Sequence, residues 1–327
     1  MMKVSHFRQW HLCVFFMVMT MQSLRHSFTL TNMAVFMALS FSSSLYAKES
    51  KVVIPVDDQS VVGTLNVPDN VAQPPVILML HGFMGQKDEL QIEGTDEGIY
   101  TRTARTLASQ GIASLRIDFR GAGESDGQWA DTTFSRQIED AQRALQWLKN
   151  QPQINPNKVG LLGWSQGGLV ASHVANLNPD LDAVVLWSPV THPYMTYGKL
   201  MGADLVLKAS ASAAETPFTT TTPWGYETTL KGKFFKEVLT MNPIGAIAHY
   251  PGPLLVIQGT QDDLVVNTDA WMHYHQGDNK HVELNTDHVW GAFSGPSMLD
   301  ERVLPETINW FNAGFKAHTA LADHTPD

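Results

Sequence analysis

The chain has 327 residues, 43% of them hydrophobic and 17% charged, with a formal net charge of −10. That balance excludes a disordered or fibrous chain and suits one large globular domain behind a short leader. An acidic surface repels phosphate backbones, so no nucleic-acid partner is expected. The one cysteine is Cys13, which leaves the rest of the chain without a disulfide, a zinc-thiolate site or a cysteine nucleophile.

Residues 1–47 read as a leader. Residues 10–21 and 33–41 are apolar runs; Arg25 and His26 precede the second, and Ser42-Ser43-Ser44-Leu45-Tyr46-Ala47 follows it. A basic flank, an apolar stretch too short for a comfortable membrane span and a small residue before a charged one describe a secretory signal peptide cut near Ala47. The expectation is an exported, periplasmic or secreted protein without stable membrane association; the alternative is an uncleaved N-terminal anchor. Residues 48–327 are then the catalytic domain.

Taken in order, residues 52–56 and 61–67 read as a strand pair around Asp57-Asp58-Gln59. Residues 76–80 are continuously apolar, as in a strand covered on both faces, and 112–117 is another strand. Phe134, Ile138, Ala141, Leu145 and Leu148 step by four and three, which is one helix face. Residues 159–162 form a strand and 169–177 a helix. Strands follow at 183–187, 254–257 and 281–284, and Leu304, Ile308, Phe311 and Phe315 line a closing helix. Alternation of this kind predicts a mainly parallel, eight-stranded sheet with helices on both faces. Residues 191–248 interrupt it between strands six and seven. This stretch is rich in aromatics and glycines and reads as a lid insertion, since structureless loops of that length are usually functional.

Gly163-Trp164-Ser165-Gln166-Gly167 follows a strand and opens a helix. A nucleophile elbow requires that context: a strained turn lifts the serine above the sheet, and small neighbours let backbones approach. Serine needs a base, and the base needs an orienting acid. In the order Ser, acid, His, the acid is Asp262, with Asp263 as its alternate, in Gly259-Thr260-Gln261-Asp262-Asp263 after a strand. The base is His288, after the last one. His273, His275 and His281 read as surface or packing residues. The oxyanion needs two backbone N–H donors: Gln166, next to the nucleophile, and Phe83, in His81-Gly82-Phe83 after the 76–80 strand. His81 reads as a support of that turn, and Asp118, Arg120 and Glu124 as braces of the following one.

These stretches together resemble the α/β-hydrolase superfamily. Within it they resemble bacterial cinnamoyl/feruloyl esterases and dienelactone-hydrolase-like or serine-aminopeptidase-like hydrolases. The resemblance is carried by residues 81–89, 118–127, 163–168 and 259–265 and by Asp287-His288, and it favours Asp262 over Asp263. Trp164 and Gln258 stand where such proteins often have histidine. The resemblance implies an α/β-hydrolase fold and cleavage of small-molecule carboxylic esters, aromatic or short-chain, by a Ser165–Asp262–His288 triad with no cofactor or metal. Two alternatives accompany it. One is a serine peptidase or amidase, which would need acids such as Glu215, Glu227 and Glu237 to hold a substrate amine. The other is a non-catalytic hydrolase-like binding protein.

Overall fold

The computed structural model describes residues 47–322 apart from residue 267. The leader expected over 1–47 therefore lies outside the described residues except for Ala47, the first residue of β1. In chain order the elements are β1 (Ala47–Val56), β2 (Gln59–Pro68), β3 (Val76–Leu80), α1 (Ile99–Ser109), β4 (Ala113–Ile117), α2 (Phe134–Lys149), β5 (Val159–Trp164) and α3 (Gln166–Leu177). Then come β6 (Ala183–Trp187), α4 (Pro193–Met201), α5 (Ala203–Ser210), β7 (Pro217–Thr221), β8 (Glu227–Lys231), α6 (Gly232–Thr240) and α7 (Pro243–Ile247). The chain closes with β9 (Leu254–Gly259), α8 (Ala270–Tyr274), β10 (Asn279–Leu284) and α9 (Leu304–Ala322).

Eight strands form one sheet in the order β1-β2-β4-β3-β5-β6-β9-β10. The β1–β2 and β2–β4 pairs are antiparallel and the others parallel. The eight predicted strands are these eight. The side-chain alternation of β3 divides its neighbours between two cores. Leu78 and Leu80 pack with Phe134, Leu145 and Leu169 on the α2/α3 face. Ile77 and Met79 pack with Tyr100, Leu107, Phe311 and Phe315 on the α1/α9 face. The predicted apolar stripe of α9 is buried at Leu304, Ile308, Phe311 and Phe315.

From β3 the chain moves through α1 to β4 on one side, then through α2 to β5 on the other. This reversal places a topological switch point at the carboxyl ends of β3 and β5, where open α/β sheets bind ligands. Residues 191–248 carry two helices, the separate β7–β8 hairpin and two further helices, so the stretch read as an insertion has regular structure. Hydrogen bonds and ion pairs fasten it to the main body. Trp129 Nε1 donates to Thr228 Oγ1 at 2.8 Å, Lys231 and Lys233 pair with Asp131 at 2.6 and 2.7 Å, and Ser135 Oγ donates to Glu237 at 2.6 Å. Among the described residues no helix is long and apolar enough to cross a membrane.

Candidate active site

Ser165 stands between the last residue of β5 and the first of α3, with φ 56° and ψ −117°. A non-glycine residue at positive φ costs of order 1–3 kcal/mol and persists only where its surroundings over-determine it. Here Ser165 N–H donates to Trp187 O at 2.8 Å, and its carbonyl accepts from Gly168 N–H at 3.0 Å and Val190 N–H at 3.1 Å. The turn also needs its glycines. A Cβ on Gly163 would overlap the carbonyl of Gly167, and one on Gly167 would overlap the carbonyl of Leu80. The serine is 5% exposed.

Asp262 lies three residues past β9 and His288 four past β10. The two meet: His288 Nδ1 is 2.6 Å from Asp262 Oδ2. The same oxygen accepts from Gln258 Nε2 at 3.0 Å. The other, Oδ1, accepts the N–H groups of Leu264 and Val265 at 2.9 and 3.0 Å. Burial alone would raise the Asp262 pKa. The His288 ring and the two backbone donors outweigh it and hold the carboxyl below its ordinary value. Asp263, the alternate, is exposed, and only its backbone carbonyl is engaged, by Lys199 Nζ. Of the other histidines, His273 is exposed, and His275 packs its ring on Tyr250, with centroids 5.9 Å apart.

The loop after β3 aims the peptide between Gly82 and Phe83. His81 Nε2 accepts Phe119 N–H at 3.1 Å, so the ring proton resides on Nδ1, which donates to Gly82 O at 2.9 Å. Burial lowers the pKa of this ring and keeps it neutral. Gly85 N–H donates to the same carbonyl at 3.2 Å. Because a trans peptide is planar, fixing the Gly82 carbonyl turns the Phe83 N–H the opposite way. Gln166 N–H is one of the free donors at the start of a helix. Its side chain is clamped: Nε2 donates to Gln137 Oε1 at 2.8 Å, and Oε1 accepts the Tyr197 hydroxyl.

The next turn carries the expected braces. Asp118 accepts Lys87 N–H at 2.6 Å and Glu124 N–H at 2.9 Å, and Arg120 pairs with buried Asp140 at 2.5 Å. Above the loops lies an aromatic group. The Phe83 ring centroid is 5.4 Å from that of Trp129 and 5.6 Å from that of Tyr197, and Phe234 is 5.1 Å from Tyr197. Among the described residues no cluster of three or more His, Cys, Asp or Glu side chains is placed to hold a metal ion.

The model of the X-Pro dipeptidyl-peptidase (S15) family matches residues 57–233, more than half of the chain. The chain belongs to the S15 peptidase family. This S15 chain has the α/β-hydrolase fold. It superposes on the ferulic-acid-bound Est1E of Butyrivibrio proteoclasticus with a TM-score of 0.62 at 21% identity, over 80% of this chain and 99% of that one. Two curated relatives are similar in sequence. The thiohydrolase apmlB of Arthrinium phaeospermum is 32% identical over 38% of this chain and 38% of its own length. The esterase FrsA of Enterobacter sp. (strain 638) is 33% identical over 42% of this chain and 30% of its own. The match thus spans about a third of the curated relatives' length.

Three residues at the site of this S15 chain carry no role in the sequence reading: Glu89, Gln137 and Tyr197. Glu89 ends the quoted 81–89 stretch, which is its only sequence signal. Tyr197 and Gln137 act on Gln166 from remote parts of the chain, and spacing carries no trace of such contacts.

Proposed function

We propose that the protein is a serine hydrolase that cleaves carboxylic esters through an acyl-enzyme. The observation that carries this reading is the 2.6 Å contact between His288 Nδ1 and Asp262, in a chain whose Ser165 stands at positive φ directly between the last residue of a strand and the first of a helix. Ser165 Oγ attacks the ester carbonyl carbon while its proton passes to His288 Nε2. Asp262 orients the imidazole and stabilises its cation. The oxyanion accepts the N–H groups of Phe83 and Gln166. Collapse expels the alcohol, which takes the proton from His288, and water repeats the cycle on the acyl group. The aromatic group around Phe83 and Trp129 suits an apolar acyl or alcohol part, aromatic (cinnamoyl-type) or short-chain, with the 191–248 segment as its cover.

The S15 family match favours a second reading, cleavage of peptides behind a free amino terminus. Against it stand the acids that would hold the amine. Glu215 is paired with Lys231 and Lys233, Glu237 is bonded to Ser135, and Glu227 is exposed. We also read residues 1–47 as an export leader, to be checked by N-terminal sequencing of the processed protein.

The test exposes the chain from Lys48 onward, and its Ser165→Ala variant, to a fluorophosphonate probe, p-nitrophenyl esters and Xaa-Pro-p-nitroanilides. Labelling and ester turnover that vanish in the variant are expected. Faster anilide than ester turnover would bring the peptidase reading forward, and a folded wild type that neither labels nor turns over would favour a binding protein.

A further inference from the structure

Glu89 is a carboxyl that the catalytic scheme does not use, yet it lies against the site. Gly82 N–H donates to Glu89 Oε1 at 2.5 Å. A Cβ built on Gly82 would be 3.5 Å from that oxygen and 3.5 Å from Ser165 Cβ, so one small side chain's width separates the carboxyl from the nucleophile. Both carboxyl oxygens also crowd Gly85, whose N–H holds the Gly82 carbonyl. The carboxyl therefore binds the N–H of Gly82 while His81 and Gly85 bind its C=O. With both sides of this residue held, the Phe83 N–H has one direction.

We propose that Glu89 is a positioning residue for the oxyanion site, and that the site works only while this carboxyl is uncharged. The proposal rests on the reading of Ser165 as nucleophile. A carboxylate on one side of Gly82 and an oxyanion on the other are like charges in a poorly solvated place, and each opposes the other. The ionisable groups around Glu89 offer no relief. On its own loop, Lys87 is paired with Asp118 and Glu124, and Asp88 with Arg116 from β4. From α1 comes Tyr100, whose hydroxyl donates to Leu80 O. The end of β3 contributes neutral His81, and the elbow contributes Ser165. Among the described residues no cation pairs with Glu89. Burial accordingly raises its pKa to about 8, against the opposing pull of the N–H groups of Gly82 and Leu90.

The experiment measures kcat for p-nitrophenyl butyrate from about pH 6 to about pH 9.5, where acid and base limbs report the ionisations that matter. It uses the wild type, Glu89→Gln and Glu89→Ala, each checked for folding by circular dichroism and for fluorophosphonate labelling. The wild-type kcat should fall above about pH 8, approaching tenfold per pH unit. Glu89→Gln keeps an uncharged acceptor for Gly82 N–H, so it should retain most of the activity at low pH and lose the alkaline fall. Glu89→Ala should lie about tenfold or more below the wild-type acid plateau, the cost of about 1.4 kcal/mol in transition-state placement, and, with no carboxyl to ionise, should lack the alkaline fall. An alkaline fall unchanged in Glu89→Gln overturns the proposal, as does a folded Glu89→Ala with the wild-type profile. Absence of labelling and turnover in the wild type overturns the Ser165 reading and this proposal with it. Turnover with an unmoved alkaline limb overturns this proposal alone.

Discussion

The loops after β3 and β9 flank the elbow on opposite sides and each carries a carboxyl, but they treat it in opposite ways. Asp262 receives two backbone N–H groups, the Gln258 amide and the His288 ring, and is held below the ordinary carboxylate range. Glu89 receives backbone donors and, among the described residues, no cation, and burial drives it up to about 8. In the proposed mechanism one carboxyl serves as an anion beside a base that becomes a cation. The other, in our proposal, stays neutral beside a place where negative charge develops. The contrast teaches that the count and charge of partners, not burial alone, decide what a carboxyl near a reacting centre does.

Variants can break this contrast at either end. Asp262→Asn leaves the shape of its loop but removes the charge and reverses the ring tautomer that His288 needs; kcat for a p-nitrophenyl ester should fall about 10⁴-fold. His81→Phe removes both the acceptor of Phe119 N–H and the donor to Gly82 O. It should cost about 10²–10³-fold in kcat with little change in KM, the effect of misaiming one oxyanion donor. Gln258→Leu removes one of four bonds to Asp262, and a loss near tenfold is expected, read as kcat/KM. The smallest effect is on stability. Between the ordinary glutamate pKa and about 8, folded protein keeps a Glu89 proton that the unfolded chain has released. Stability from this source is complete at acid pH and is lost as pH rises towards 8. Glu89→Gln has no such proton to lose, so its melting temperature relative to wild type should climb from about pH 5 to about pH 9, by about 2–4 °C for each kcal/mol involved at this chain size.

Much of the frame was legible because it depends on local pattern. The continuous apolar runs of β3, β6 and β9 and the stripes of α2 and α9 repeat at the periods their burial requires. The elbow was legible because Gly163 and Gly167 are demanded by close approach. The first half of β1 was not. Its opening residues, Ala47-Lys48-Glu49-Ser50-Lys51, are polar, and they extend only because β2 pairs with them from Pro68 onward; charges suit such an edge. Helix α1 went unread, although Ile99, Tyr100, Ala104 and Leu107 mark its buried face. Residues 191–248 hide a hairpin and helices because their aromatics pack at long range and follow neither the strand nor the helix period. The roles of Glu89 and Tyr197 were invisible for a related reason. Each acts on a backbone or amide group distant in sequence, and a lone residue carries no mark of the group it will meet.

Trp164 gives the site an optical handle. Its indole N–H donates to the His288 carbonyl at 3.2 Å, and the two rings lie 6.0 Å apart at 32°. An imidazolium at that separation is attracted to the indole face and withdraws excited-state electron density from it. The emission of this buried tryptophan, taken as the difference between wild type and Trp164→Phe, should dim as His288 gains its proton. The charge state of this ring can then be followed by light in a resting protein, with no substrate present.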